Sequence, residues 1–175
     1  EVSMPHLDLG MVAEWKQQVS GLDTRDDVLE ATLSFLDVSI GPVMFLARKG
    51  QGLAGWACSL GCRQEIEGDI HDVIMMPPAP REVWHAMERK RGFMGPAAVI
   101  DEYAFLRQER IGRHLFMVLP VVVKGIAAGA LLCMPRRQMP ADPKLRDALE
   151  AMGKTLSERL EQIVLRKKHK ETVDR

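Results

Sequence analysis

Cys58 and Cys62 lie four residues apart, a spacing at which two thiols could act as a redox couple or as half of a zinc site. A tetrahedral zinc site needs four ligands, and no second Cys or His pair lies nearby. With Cys133 the chain holds three cysteines, an odd number. That argues against a disulfide framework and for a reducing, cytoplasmic compartment. The expected arrangement is a buried Cys58 in a strand and Cys62 in the loop after it. Asp69, His71 and Asp72 form the other group of ligand types. They could hold a cation, but short polar loops are usually solvated, and no metal is expected. His85 and Glu88 are three apart on a helix and could pair on its exposed face. No Gly-rich phosphate loop, nucleophile elbow or Ser-His-Asp set is present. The expectation is a protein that is not an enzyme, and the cofactor is left unknown.

Aromatic and sulfur side chains offer binding chemistry instead. Trp56, Trp84, Phe93, Met94, Tyr103, Phe105 and Met117 gather in the middle of the chain. The ligand-pocket candidates are Trp56, Cys58, Trp84, Phe93, Tyr103, Phe105, Arg107 and Met117. Arg107 and Arg113 supply the polar contacts that an apolar pocket needs. With 11 methionines in the chain, plain core packing is the competing reading.

Those residues need elements to position them. Residues 115–134, LFMVLPVVVKGIAAGALLCM, read as two apolar strands, 115–123 and 126–134, joined at Lys124-Gly125. Pro120 donates no backbone hydrogen bond and should mark an edge, a bulge or a strand start. Further strands are expected at 43–48, 53–58 and 97–100, with 72–76 as another candidate. Helical spacing predicts helices over 9–21, 24–38, 81–91 and from 142 to 165, and a small helix over 102–112 with Tyr103, Leu106 and Ile111 inward. Asp23 or Thr24 is the expected cap of the second helix. Apolar residues make up 46 %, which excludes general disorder. Basic and acidic side chains number 24 each, so nothing supports a nucleic-acid partner. No apolar window reaches the ~20 residues of a spanning helix, so no membrane insertion is expected.

The Leu-Pro-Val-Val-Val-x-Gly hairpin, the small-residue return strand and the closing helix resemble the end of a GAF domain. Residues 41–58 look like the first hairpin of that family. Residues 81–100 look like its helix-and-strand insertion over the pocket. Phe93-Met94-Gly95-Pro96 matches the element that follows this helix in the variant found in bacterial two-component and related signalling proteins. The resemblance covers residues 26–166. It implies an α+β, profilin-like antiparallel sheet with helices on both faces and long terminal helices. It also implies a sensory or regulatory module that binds a small ligand or a protein partner. The cyclic-nucleotide signature Asn-Lys-x-Phe-x-x-x-Asp-Glu has no match in Asp101-Glu102-Tyr103-Ala104-Phe105, and His114 lacks the neighbouring cysteine of bilin-binding members. The free methionine-sulfoxide reductases of this fold carry their cysteines in the insertion, where this chain has none between Arg63 and Leu132.

The domain reading is a helical extension at 1–22, a GAF-like domain at 23–166, and a basic helical tail or linker at 167–175. The start, Glu1-Val2-Ser3, reads as a piece of a longer protein, with a signalling domain attached or separate. Two apolar stripes, Val12, Trp15 and Val19, and Leu149, Met152, Leu156, Leu160 and Ile163, are expected to form a homodimer interface. The competing functions are a scaffold module without ligand and, more remotely, a cysteine-based redox enzyme.

Overall fold

The computed structural model describes residues 5–107, 115–137, 139 and 142–173. Helix α1 (Leu9–Ser20) starts where the Asp8 side chain accepts from Met11 N at 2.9 Å. Helix α2 (Arg25–Ser39) is capped by Thr24, which accepts from Asp27 N at 3.1 Å. Asp26 and Asp27 place negative charge in its first turn, where the helix dipole favours it. The chain then makes β1 (Val43–Lys49), β2 (Gly52–Cys58), the short α3 (Leu60–Arg63), β3 (Ile74–Met75), α4 (Arg81–Arg89) and β4 (Phe93–Pro96). After it come β5 (Leu115–Val123), β6 (Ile126–Cys133) and the 31-residue α5 (Pro143–Val173).

The six strands form one antiparallel sheet in the order β3-β2-β1-β6-β5-β4. Lys124 and Gly125 both have positive φ, 53° and 75°, the twist a two-residue hairpin demands. Pro120 falls where β5 has lost a neighbour, because β4 stops at Phe93, opposite Val118. Alternation along the strands divides the core in two. Phe45, Met117, Leu119, Val121, Leu131 and Cys133 face the layer of α1, α2 and α5. Met44, Leu46, Phe116, Val118, Ala130 and Leu132 face α4 and the connecting segments. The antiparallel sheet, the placement of helices on both faces and the long terminal helix match the sequence expectation.

Two expectations fail. The strand foreseen at 97–100 is displaced to 93–96, because Ala98 N–H donates to the Glu82 carboxylate at 2.7 Å and leaves the ladder. Residues 100–103 then make a single 3₁₀ turn. Tyr103 and Leu106 are buried as expected, whereas Ile111 and the rest of that small helix lie outside the described residues. The second failure concerns the two supposedly exposed stripes. Val12, Trp15, Val19, Leu149, Met152, Leu156 and Leu160 are all buried within one chain, and Ile163 is half-buried. Arg159 of α5 donates to the carbonyls of Val19 and Leu22, so the end of α1 is tied to α5 directly. The stripes cover each other, and α1 belongs to the core rather than hanging from it.

A 31-residue helix spans ~46 Å and β5 ~30 Å, so α5 must outrun the sheet. From Leu165 to Val173 it is exposed.

Gly129 of β6 lies on the helix-layer face, beneath the Phe45 ring. A Cβ there would sit 2.5 Å from the Leu46 carbonyl oxygen and 2.9 Å from the ring. Gly129→Leu should therefore cost about 1–3 kcal/mol in a urea titration. A wild-type midpoint would show that this strand position faces open space.

Candidate functional site

Helix α4 is held over the sheet by carboxylates at its amino end. Arg81 N donates to Glu102 Oε1 at 3.2 Å, and Glu82 accepts from Ala98 N and from Tyr103 OH, both at 2.7 Å. Tyr103 has no exposed surface and stacks on Phe116 of β5 at 4.8 Å between ring centroids. Burial pulls the Glu82 carboxyl up, but its hydrogen bonds outweigh that and hold it below the ordinary carboxylate range. The stability this group adds is present above its unfolded pKa of ~4.5 and lost as pH falls through the lower folded value. Glu82→Gln can satisfy only part of this network and should cost about 1–2 kcal/mol near pH 7. The gap should narrow near pH 3, read from urea midpoints at the two pH values. An equal gap at both would refute the role assigned to the carboxylate.

Beside this unit a cleft of about 590 Å³ opens between α4, the Pro77-Pro78 segment and the β1–β2 hairpin. Arg48, Gln51, Arg81, Trp84, His85, Glu88 and Glu102 give it polar and aromatic walls. Arg48 Nε donates to the Ala127 carbonyl at 2.9 Å, and Trp84 Nε1 donates to the Ala79 carbonyl at 2.9 Å. Both side chains are thus aimed by the backbone. His85 and Glu88 are exposed, as expected, and line the cleft, with no ion pair between them among the described residues.

Of the pocket candidates, Cys58, Trp84, Phe93, Tyr103 and Phe105 do come together on the α4 face. Only Trp84 of these lines the cleft, and Tyr103 is packed solid. Trp56 does not join them. It sits at a β-bulge opposite Phe45 and Leu46, 44 % exposed, with the Arg25 guanidinium 4.8 Å above its ring. Met117 is also misplaced, since it points into the helix layer. Arg107 is exposed and contributes its backbone N–H to the Glu65 carbonyl, whereas Arg113 and His114 lie outside the described residues. The cleft residue that the sequence reading missed entirely was Arg48. Its signal was present, because Met44, Leu46 and Arg48 alternate on one face of β1.

Cys62 is not in a loop. It is fully buried in α3, below the Ser59 cap that accepts from its N–H at 3.3 Å. Burial, then the neighbouring Cys58, pushes the Cys62 thiol far above its ordinary value. Burial also raises half-buried Cys58, with Arg63 offsetting part of the rise. Cys133 lies in the helix layer, its Sγ 3.9 Å from the Gly41 carbonyl, and burial raises it too. Asp69 caps the turn Ile70–Asp72, its Oδ1 lying 2.8 Å from both His71 N and His71 Nδ1.

No protein-family model matches the sequence, and no curated protein matches it. Solved structures do. The GAF domain of an Acinetobacter phosphoenolpyruvate-protein phosphotransferase superposes with a TM-score of 0.69 at 14 % identity, covering 88 % of this chain and 92 % of that one. This chain has the GAF fold. The GAF domain of a two-component sensor histidine kinase from Bacillus halodurans gives a TM-score of 0.60 at 15 % identity, covering 82 % and 97 %. Free methionine-R-sulfoxide reductase from Neisseria meningitidis, in complex with its substrate, gives 0.67 at 14 % identity, covering 87 % of each. That likeness overturns the sequence expectation of a non-enzyme. Missing motifs exclude only the chemistries those motifs perform, and the GAF fold itself houses a reductase.

Proposed function

We propose that the chain is a sensory or regulatory GAF module that takes a small ligand in the α4-face cleft and reports its presence through α5. One observation carries this reading. A path of two hydrogen bonds, joined through a pair of facing strand residues, runs from the cleft to the terminal helix. Arg48 Nε holds the Ala127 carbonyl of β6, Ala127 pairs with Val122 of β5, and Val122 N–H donates to Ser157 Oγ of α5 at 3.0 Å. The strands shift register at Val121/Val122, so the route crosses the irregular point of the hairpin. A bulge leaves a backbone group unpaired in the ladder, and Ser157 takes it up. Likeness to GAF domains of a sensor kinase and a phosphotransferase protein supports the signalling part of the reading.

The effector in this proposal is a signalling domain, attached or separate, in a cytoplasmic protein. A homodimer belongs to the same proposal, and its contact falls on the distal turns of α5, where Leu165 is 50 % and Val173 68 % exposed. No helix among the described residues is long and apolar enough to cross a membrane.

A thermal-unfolding screen of small metabolites tests the ligand. A compound present at ~100 times its dissociation constant should add ~2.7 kcal/mol, and Trp84→Ala should abolish the effect. A screen in which nothing stabilises the protein would favour the scaffold reading instead.

A further inference from the structure

The chemistry of the cleft wall narrows its occupant, an inference that rests on the ligand-binding reading above. Among the charged groups there, half-buried Glu102 already accepts from the first N–H of α4. Arg48 is committed only through Nε, to the Ala127 carbonyl. Its two terminal nitrogens have no acceptor and no ion-pair partner among the described residues. A guanidinium anchored at Nε presents those two nitrogens as a fixed pair, which matches the two oxygens of a carboxylate.

The apolar part of the wall is Pro77, Pro78, Trp84 and Met87. The Trp84 N–H is taken by Ala79, so its ring offers only its face and edge, and Pro77 and Pro78 offer no N–H at all. Such surfaces suit a flat, apolar body. The charge count argues against a polyanion: Arg48 and Arg81 are matched in the same cleft by Glu88 and Glu102. A polyanion would have to sit against Glu88 and Glu102, whereas one carboxylate needs only the paired terminal nitrogens of Arg48. The volume of about 590 Å³ lies within the range of small-molecule sites. The geometry points to a monoanionic organic carboxylate with a planar apolar body, its carboxylate on the terminal nitrogens of Arg48 and its body against Trp84.

Sodium 2-naphthoate, its neutral amide and inorganic phosphate are the probes. The readout is the indole N–H resonance of Trp84, identified by its disappearance in Trp84→Phe. Naphthoate should shift it saturably, and the amide should bind about tenfold more weakly or worse. Arg48→Gln should weaken naphthoate by a similar factor and leave the amide unchanged. Because acid and amide are compared on the wild-type protein, the test survives a variant that folds poorly. Equal binding of acid and amide would overturn the carboxylate assignment while leaving a ligand cleft in place. Displacement of naphthoate by phosphate at similar concentration would overturn it in favour of a phosphoryl group. Silence from both naphthalene probes at about 10 mM would also overturn it. The broader ligand reading falls only if the metabolite screen is silent as well.

Discussion

Leu156→Glu should unfold the chain, not release a subunit. Leu156 has no exposed surface and lies in the core shared by α1, α2, α5 and the sheet. A carboxylate placed there loses its hydration among apolar side chains, a change that costs several kcal/mol. Domains of this size are stable by only about 5–15 kcal/mol, so a loss of about 4 kcal/mol or more removes much of the total. Circular dichroism in urea should show the midpoint falling sharply or the transition disappearing. A variant with the wild-type midpoint that merely sedimented as a smaller species would place Leu156 at a seam between subunits.

Trp15→Ala should be nearly as damaging. Trp15 is 1 % exposed, tilts against Phe35 at 6.2 Å between centroids, and donates from Nε1 to Thr32 Oγ1 at 3.2 Å. Thr32 keeps its own bond to the Val28 carbonyl at 2.7 Å, so the deletion leaves no hydroxyl without a partner. The expected cost of ~3–5 kcal/mol is therefore a cavity cost, and Trp15→Phe should recover much of it. Urea denaturation of both variants measures this directly. A loss below about 1 kcal/mol for the alanine variant would mean that α1 is an appendage.

These two residues also show where a sequence stops being legible. Helical spacing identified the stripes of α1 and α5, and their burial is real. Periodicity shows that a face must be covered, but the same stripe serves an intrachain neighbour or a partner. Arg159 decides between them, and a polar side chain reaching two carbonyls at the end of α1 leaves no periodic mark. The hairpin at Lys124-Gly125 was legible because only a few residues tolerate its dihedrals. The displaced β4 was not, since a carboxylate on another helix ends it.

The site was half legible for a similar reason. Composition gathered the aromatic residues, but a sheet has two faces and a bulge changes which face a residue takes. Trp56 sits at such a bulge with the Arg25 guanidinium of α2 over its ring, while Met117 followed the alternation of β5 into the helix layer. Arg48 was findable from alternation alone, yet arginine in a strand more often signals solvent.

The central claim is that occupancy of the cleft reaches α5 through Arg48, Ala127, Val122 and Ser157. Amide hydrogen exchange of the whole chain, with and without saturating 2-naphthoate, tests it most directly. Slower exchange is expected in α4, at Val122 and in the turn of α5 around Ser157. In Ser157→Ala the α5 response should vanish while the cleft still binds the probe. Protection confined to the residues lining the cleft, with α5 unchanged in the wild type, would contradict the account.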